Sequence, residues 1–145
     1  MSMYGGPEQS PGFLLWHVTL RWQRAVAVAL SPLDLTHVQF VLLACTWWLN
    51  MEGRTPNQLA VAHQAGTDVK MTSQVLRKLE AKGLIERDTD ALDTRAKTLR
   101  TTARGSKLAR QAIATVEQVD AAFFGTLPKP SQLVRLLHRL AQPTA

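Results

Sequence analysis

Apolar positions along this chain fall into blocks separated by glycine, proline and polar clusters. In the first block, residues 13–30, Phe13, Leu14, Leu15, Trp16, Val18, Leu20, Trp22, Val26, Val28 and Leu30 cover nearly every face of a helix. A helix apolar all round needs cover on several sides, which in a small protein predicts a subunit interface. Pro32 interrupts it. Thr36-His37-Val38-Gln39 has the capping-box pattern, with Thr36 as N-cap. The run that follows, 38–51, is again very apolar, but it is too short for a membrane span and meets Asn50, Glu52 and Arg54. It predicts a central core helix, ended by Gly53.

Thr55-Pro56-Asn57-Gln58 repeats the capping box, with proline at the favoured first helical position. That predicts a short helix through Leu59, Ala60, Ala62 and His63 and a turn at Ala65-Gly66-Thr67. Thr67 or Asp68 then caps a helix to about Lys82, with Val69, Thr72, Val75, Leu76 and Leu79 as its apolar stripe. Two short helices joined by a glycine turn form a helix-turn-helix pattern. Runs 84–87 and 97–101 read as strands of a hairpin, joined by the charged loop 88–96. Thr102 caps a long helix to about Phe124, with Val116, Val119 and Phe123 on one face. Pro130 opens a last helix with Leu133, Leu136, Leu137 and Leu140 at i, i+3, i+4 and i+7.

Length and composition narrow this picture. The 145 residues make one domain, and 46% hydrophobic content excludes wholesale disorder. A single cysteine excludes an internal disulfide framework and a Cys-rich zinc site. Residues 1–12 are polar and Gly/Pro-rich, which predicts a flexible segment rather than a secretory signal. A cytoplasmic protein without membrane association is the expectation. The net charge is +6, and its placement says more than its size: between Gly66 and Arg110, eleven bases face six acids, so +5 of the charge lies in under a third of the chain.

A helix-turn-helix followed by a β-hairpin is a winged helix: mainly α with a small β wing. The DNA major groove admits an α-helix, and the hairpin loop reaches phosphates and the adjacent minor groove. Opposite Val75, Leu76 and Leu79, the second helix carries Lys70, Met71, Ser73, Gln74, Arg77 and Lys78. Gln74 suits adenine, Arg77 guanine or phosphate, and Met71 a thymine methyl. Thr67, Lys70 and Ser73 lie near the helix N-terminus, where backbone N–H groups favour phosphate. Lys97 adds a base to the wing strand. The expected partner is double-stranded DNA.

Leu79-Glu80-Ala81-Lys82-Gly83-Leu84-Ile85-Glu86-Arg87 resembles the junction between recognition helix and wing of MarR-type transcriptional regulators. Asp93-Thr94-Arg95 is similar to that family's wing motif Asp-x-Arg, and Thr102-Ala103-Arg104-Gly105 to the Thr-x-x-Gly that starts the next helix. Leu35-Thr36-His37-Val38-Gln39-Phe40 resembles its entry into the second helix. The resemblance spans 13–142. It implies one winged-helix domain, with 35–102 as the DNA-binding part and 13–34 and 103–142 as dimerisation helices. It further implies a homodimer on a pseudo-palindromic operator, usually a repressor relieved by a small aromatic ligand or by oxidation. Arg95 matches the arginine that enters the minor groove, and Asp93 the acid that helps hold the wing. Thr101-Thr102 stands where the family often has Leu-Thr, which leaves the register of the wing open.

Other chemistries are less well supported. Trp16, Trp22, Trp47 and Trp48 read either as an aromatic-lined effector pocket or as core and interface packing. For the pocket reading, the candidates are Trp16, His17, Arg21, His37 and Trp47. Cys45 lies among large apolar residues, where a structural role outweighs a redox one. The four histidines are scattered and none pairs at metal-ligand spacing, so neither metal nor cofactor is expected. No nucleophile–base arrangement or phosphate loop is readable, which argues against an enzyme. A winged-helix architectural protein that binds DNA without sequence choice is the main competing class.

Overall fold

The computed structural model describes residues 3–89 and 97–143. It contains α1 (Pro11–Leu30), α2 (His37–Met51), α3 (Gln58–Ala65), α4 (Val69–Ala81), β1 (Ile85–Thr89), β2 (Lys97–Thr101), α5 (Ala103–Phe124) and α6 (Pro130–Ala141). Short 3-10 turns at Pro7–Gln9 and Ser31–Leu33 precede and follow α1. Thus part of the segment expected to be flexible has a turn, and α1 starts at Pro11, where Ser10 Oγ accepts the Phe13 N–H at 3.3 Å. No single helix among the described residues is long and apolar enough to cross a membrane.

Side-chain caps also set the starts of α2 to α5, while α6 opens on Pro130 without one. The Thr36 box is complete: Gln39 N–H donates to Thr36 Oγ1, and Thr36 N–H to Gln39 Oε1, both at 3.2 Å. Asp68 caps α4 through Met71 N–H at 2.8 Å, and Thr102 caps α5 through Gly105 N–H at 3.0 Å. The box at Thr55 does not form. Asn57 is the cap of α3, accepting from Ala60 N–H at 2.9 Å. Pro56 is buried instead, and its carbonyl accepts the Leu99 N–H at 2.8 Å. The backbone before α3 is thus used as a partner for β2, with an isolated bridge at Asn57–Thr98.

The core lies where α2 meets α1, α4, α5 and the hairpin. Leu30, Leu42, Leu43, Leu49, Leu76 and Leu79 are fully buried there, with Leu84, Ile85 and Leu99 from the wing base. Two stretches keep their apolar side chains outside. On α1, Phe13, Leu14, Leu15, Trp16 and Val18 are exposed; on α6, Val134, Leu136, Leu137 and Leu140 are.

Candidate nucleic-acid interface

The buried stripe of α4 is Thr72, Val75, Leu76 and Leu79. Val69 continues it by spacing but lies beyond the edge of the core and is 52% exposed. Lys70, Gln74, Arg77 and Lys78 are exposed together, with Ser73 half-buried beside them. Met71 and Thr67 are turned partly inward. Met71 packs against the core, and the Thr67 hydroxyl is hydrogen-bonded to that of Thr72 at 2.6 Å. Val69, rather than Met71, is therefore the more exposed apolar side chain at this end of α4. The N-terminus of α4 already holds a carboxylate, that of Asp68.

The other end of α4 is clamped. Gly83 adopts φ +74, a left-handed turn open to glycine at little cost, and its N–H returns to Glu80 O. Thr102 Oγ1 donates to Gly83 O at 2.7 Å, Thr102 N–H to Leu84 O at 3.0 Å, and Arg104 to Lys82 O at 2.6 Å. Gly105 packs so closely that a Cβ there would stand 1.8 Å from Leu84 O. The start of α5 thus fixes the turn from recognition helix to wing, which gives the paired motifs at 79–87 and 102–105 one physical purpose. Lys82 adds a tie to the α1–α2 link, donating to Asp34 O and to Gln39 Oε1.

The wing register is regular: Ile85 pairs with Thr101, Arg87 with Leu99, and Thr89 with Lys97. Thr101, where the family often has leucine, keeps this register, and its hydroxyl pairs with Ser106 Oγ at 2.7 Å. Arg100 reaches across to Asp88 at 2.7 Å and Glu86 at 3.4 Å. Asn50, at the end of α2, anchors the wing base: it donates to Leu99 O at 3.2 Å and Arg54 O at 3.0 Å and accepts the Thr101 N–H at 3.0 Å. Lys97 is exposed at the start of β2. Asp93 and Arg95 lie outside the described residues.

The five candidate effector residues are not gathered into one described cavity. Trp16 and His17 are exposed on α1, where His17 stacks edge-on against Phe13. Arg21 lines a cavity of about 510 Å³ with Val18, Phe123 and Leu133. His37 lines a different one, of about 460 Å³, beside Ala27, Leu35 and Lys82. Trp47 packs against the core with its indole nitrogen buried. Sequence reasoning missed the partners of His37. Trp22 stacks edge-on against it, with centroids 5.1 Å apart, and donates its indole N–H to Asp120 at 2.8 Å. An indole N–H shielded from water usually finds an acceptor, but nothing in the sequence points to one 98 residues away. Burial pushes the His37 pKa down, and the Asp120 charge partly restores it. Burial pushes the Cys45 thiol up, the opposite of what a reactive thiolate needs.

Known proteins share this arrangement. Residues 32–120 match the ArnR1-like winged-helix domain. The chain is 42% identical over 139 residues to the helix-turn-helix-type regulator YdcH of Bacillus subtilis, covering 96% of this chain and 95% of that one. It is 34% identical over 133 residues to the transcriptional repressor Rv2887 of Mycobacterium tuberculosis, covering 89% and 91%. The crystal structure of Rv2887 with p-aminosalicylic acid aligns at TM-score 0.69 and 31% identity, over 92% and 99% of the two chains. CouR of Rhodococcus jostii, solved with p-coumaroyl-CoA, aligns at TM-score 0.84 and 28% identity, over 97% and 98%. With a winged helix matched over most of its length and close relatives spanning nearly all of it, the chain belongs to the MarR-type winged-helix transcriptional regulators.

Proposed function

We propose that this regulator binds a pseudo-palindromic operator as a homodimer and represses from it, with its affinity set by a small aromatic ligand. The observation that carries this reading is the exposed basic face of α4, held at its far end by the clamp from α5. Lys70, Ser73, Gln74, Arg77 and Lys78 face the major groove, with Gln74 and Arg77 reading base edges and the lysines on phosphates. Met71 offers an apolar contact, and the more exposed Val69 adds another beside it. Arg95 reaches the minor groove, Asp93 helps hold the wing, and Lys97 adds a phosphate contact. A second copy of this chain covers the apolar faces of α1 and α6, since helices with so many exposed large side chains mark an interface.

The effector part of the reading rests on the Trp22–His37–Asp120 cluster between α1, α2 and α5, supported by the ligands of the CouR and Rv2887 crystals. Footprinting on DNA flanking its own gene tests the whole. Two protected half-sites, spaced by about one helical turn, and a steep fall of affinity with salt are expected. Arg95→Ala weakens binding, Gln74→Ala relaxes base preference, and p-aminosalicylic acid or p-coumaroyl-CoA shifts affinity. Equal affinity for operator and random DNA would instead support the architectural reading. A gel shift unchanged by both substitutions would defeat the assignment of these residues.

A further inference from the structure

Three of the bases that give the middle of the chain its charge, Lys82, Arg104 and Lys107, lie outside the DNA-facing set. They converge on an open cavity of about 340 Å³ between the α1–α2 link, the end of α4 and the start of α5. Asp34 and Gln111 complete its polar rim, over an apolar floor that includes Leu108. Arg104, Lys107, Leu108 and Gln111 stand at i, i+3, i+4 and i+7 of α5, so they share one face. The contact from Arg104 to Lys82 O, at 2.6 Å, uses one of five guanidinium donors and fixes that group over the turn. Among the described residues lining it, the one acid is Asp34, whose side chain is 95% exposed and lies 3.6 Å from Lys82, an ion pair that water and salt weaken.

We propose that this cavity binds a phosphate monoester carried on an apolar body, at a site separate from the α4 reading face and from the Trp22–His37–Asp120 cluster. Charge decides the class of ligand. Three cations against one carboxylate leave an excess of two positive charges, which a monocarboxylate only half neutralises. A phosphate monoester is close to a dianion at neutral pH; its acceptor oxygens take Arg104 and Lys107 directly, while Lys82, whose Nζ already donates to Asp34 O and Gln39 Oε1, contributes mainly its charge. The leucine floor takes the apolar part. The site touches the link between α1 and α2, the end of the recognition helix and the first turns of α5 at once. Any difference in their arrangement between free and DNA-bound protein must therefore appear reciprocally in the two affinities.

The test is a titration of the full chain with phenyl phosphate, followed by calorimetry and by the methyl resonances of Leu33, Leu84 and Leu108. Benzoate and inorganic phosphate serve as comparisons. The expected result is a saturable shift of these methyls, with phenyl phosphate binding about tenfold more tightly than either comparison. Lys107→Gln, on an exposed helix face, should fold normally and weaken phenyl phosphate about tenfold, as loss of a charge-assisted hydrogen bond implies. Its operator affinity without the ester should stay within about twofold of the parent. Unmoved methyls, benzoate binding as tightly as phenyl phosphate, or a Lys107→Gln variant with undiminished affinity would each overturn the proposal. So would equal losses of operator and phenyl phosphate binding in that variant, which would give these cations to the DNA backbone. The methyl titration contains no DNA, so its failure is distinguishable from failure of operator binding.

Discussion

Asn50 is the side chain whose removal should separate wing anchoring from general stability. Its amide makes three hydrogen bonds, two of them to the wing base at Leu99 O and Thr101 N–H. In Asn50→Ala, the exposed Arg54 carbonyl regains water, whereas the two wing groups are half-enclosed. At about 1 kcal/mol net per hydrogen bond, with a further penalty for poorly solvated groups, the loss is about 2–3 kcal/mol. Alanine is the better helix former in the last turn of α2 and returns about 0.5 kcal/mol. The net expectation is about 2 kcal/mol, or a urea midpoint lower by roughly 1 M, compared at one fixed protein concentration. Amide exchange supplies the internal control. The Thr101 N–H loses its acceptor, while the Leu99 N–H keeps Pro56 O at 2.8 Å. Thr101 should therefore lose protection beyond the common decline, by about tenfold, and Leu99 should not. Asn50→Asp keeps the acceptor but sets a carboxylate against two carbonyls, so stability should fall while Thr101 stays protected. The anchoring argument fails if Thr101 and Leu99 decline together in the alanine variant, or if its midpoint is unchanged.

Further outcomes follow from the same contacts. Gly105→Ala places a methyl 1.8 Å from Leu84 O, and backbone on both sides must give way, so a loss of about 3 kcal/mol or more is expected in urea unfolding. A midpoint within experimental error of the parent would refute that close approach. Trp22→Phe keeps the ring beside His37 but strips Asp120 of its donor, at about 1–2 kcal/mol, and a double-mutant cycle with Asp120→Asn should show strong coupling. His37 has a folded-state pKa below its ordinary 6.5, so the unfolded chain takes up the proton first as pH falls. Its contribution to stability is complete above 6.5 and declines below it, and Asp120→Asn, by removing the charge that raises the pKa, should lower the His37 midpoint further in an NMR titration.

What was legible in the sequence is what acts over three or four residues. The Thr36 box, the Asp68 cap and the Thr102 cap each join a side chain to a backbone group three positions on, so spacing alone exposes them. The same pattern at Thr55 misled because Pro56 and Asn57 are committed to β2, some forty residues away by sequence. Periodicity put Val69 on the buried stripe because a period cannot mark where the core ends. Trp22 with Asp120, and Asn50 with Thr101, were out of reach for the same reason: nothing local distinguishes those side chains from their neighbours until the fold brings their partners in.

Both DNA-facing elements are held from the same helix. At its N-terminal end, Gln39 Oε1 accepts Thr36 N–H and Lys82 Nζ, joining the helix cap to the end of α4. At its C-terminal end, Asn50 holds the base of the wing. The 15 residues of α2 span about 22 Å at 1.5 Å per residue. Because the start of α5 clamps the turn between α4 and the wing, a displacement of α2 would be passed to both through these two ties and carry them together. His37 stands in the first turn of α2 against Trp22 of α1, and Trp22 is bonded to Asp120 of α5. The helix that carries the wing anchor and the α4 tie is thus also packed at its start against Trp22 of α1, which Asp120 of α5 holds in place.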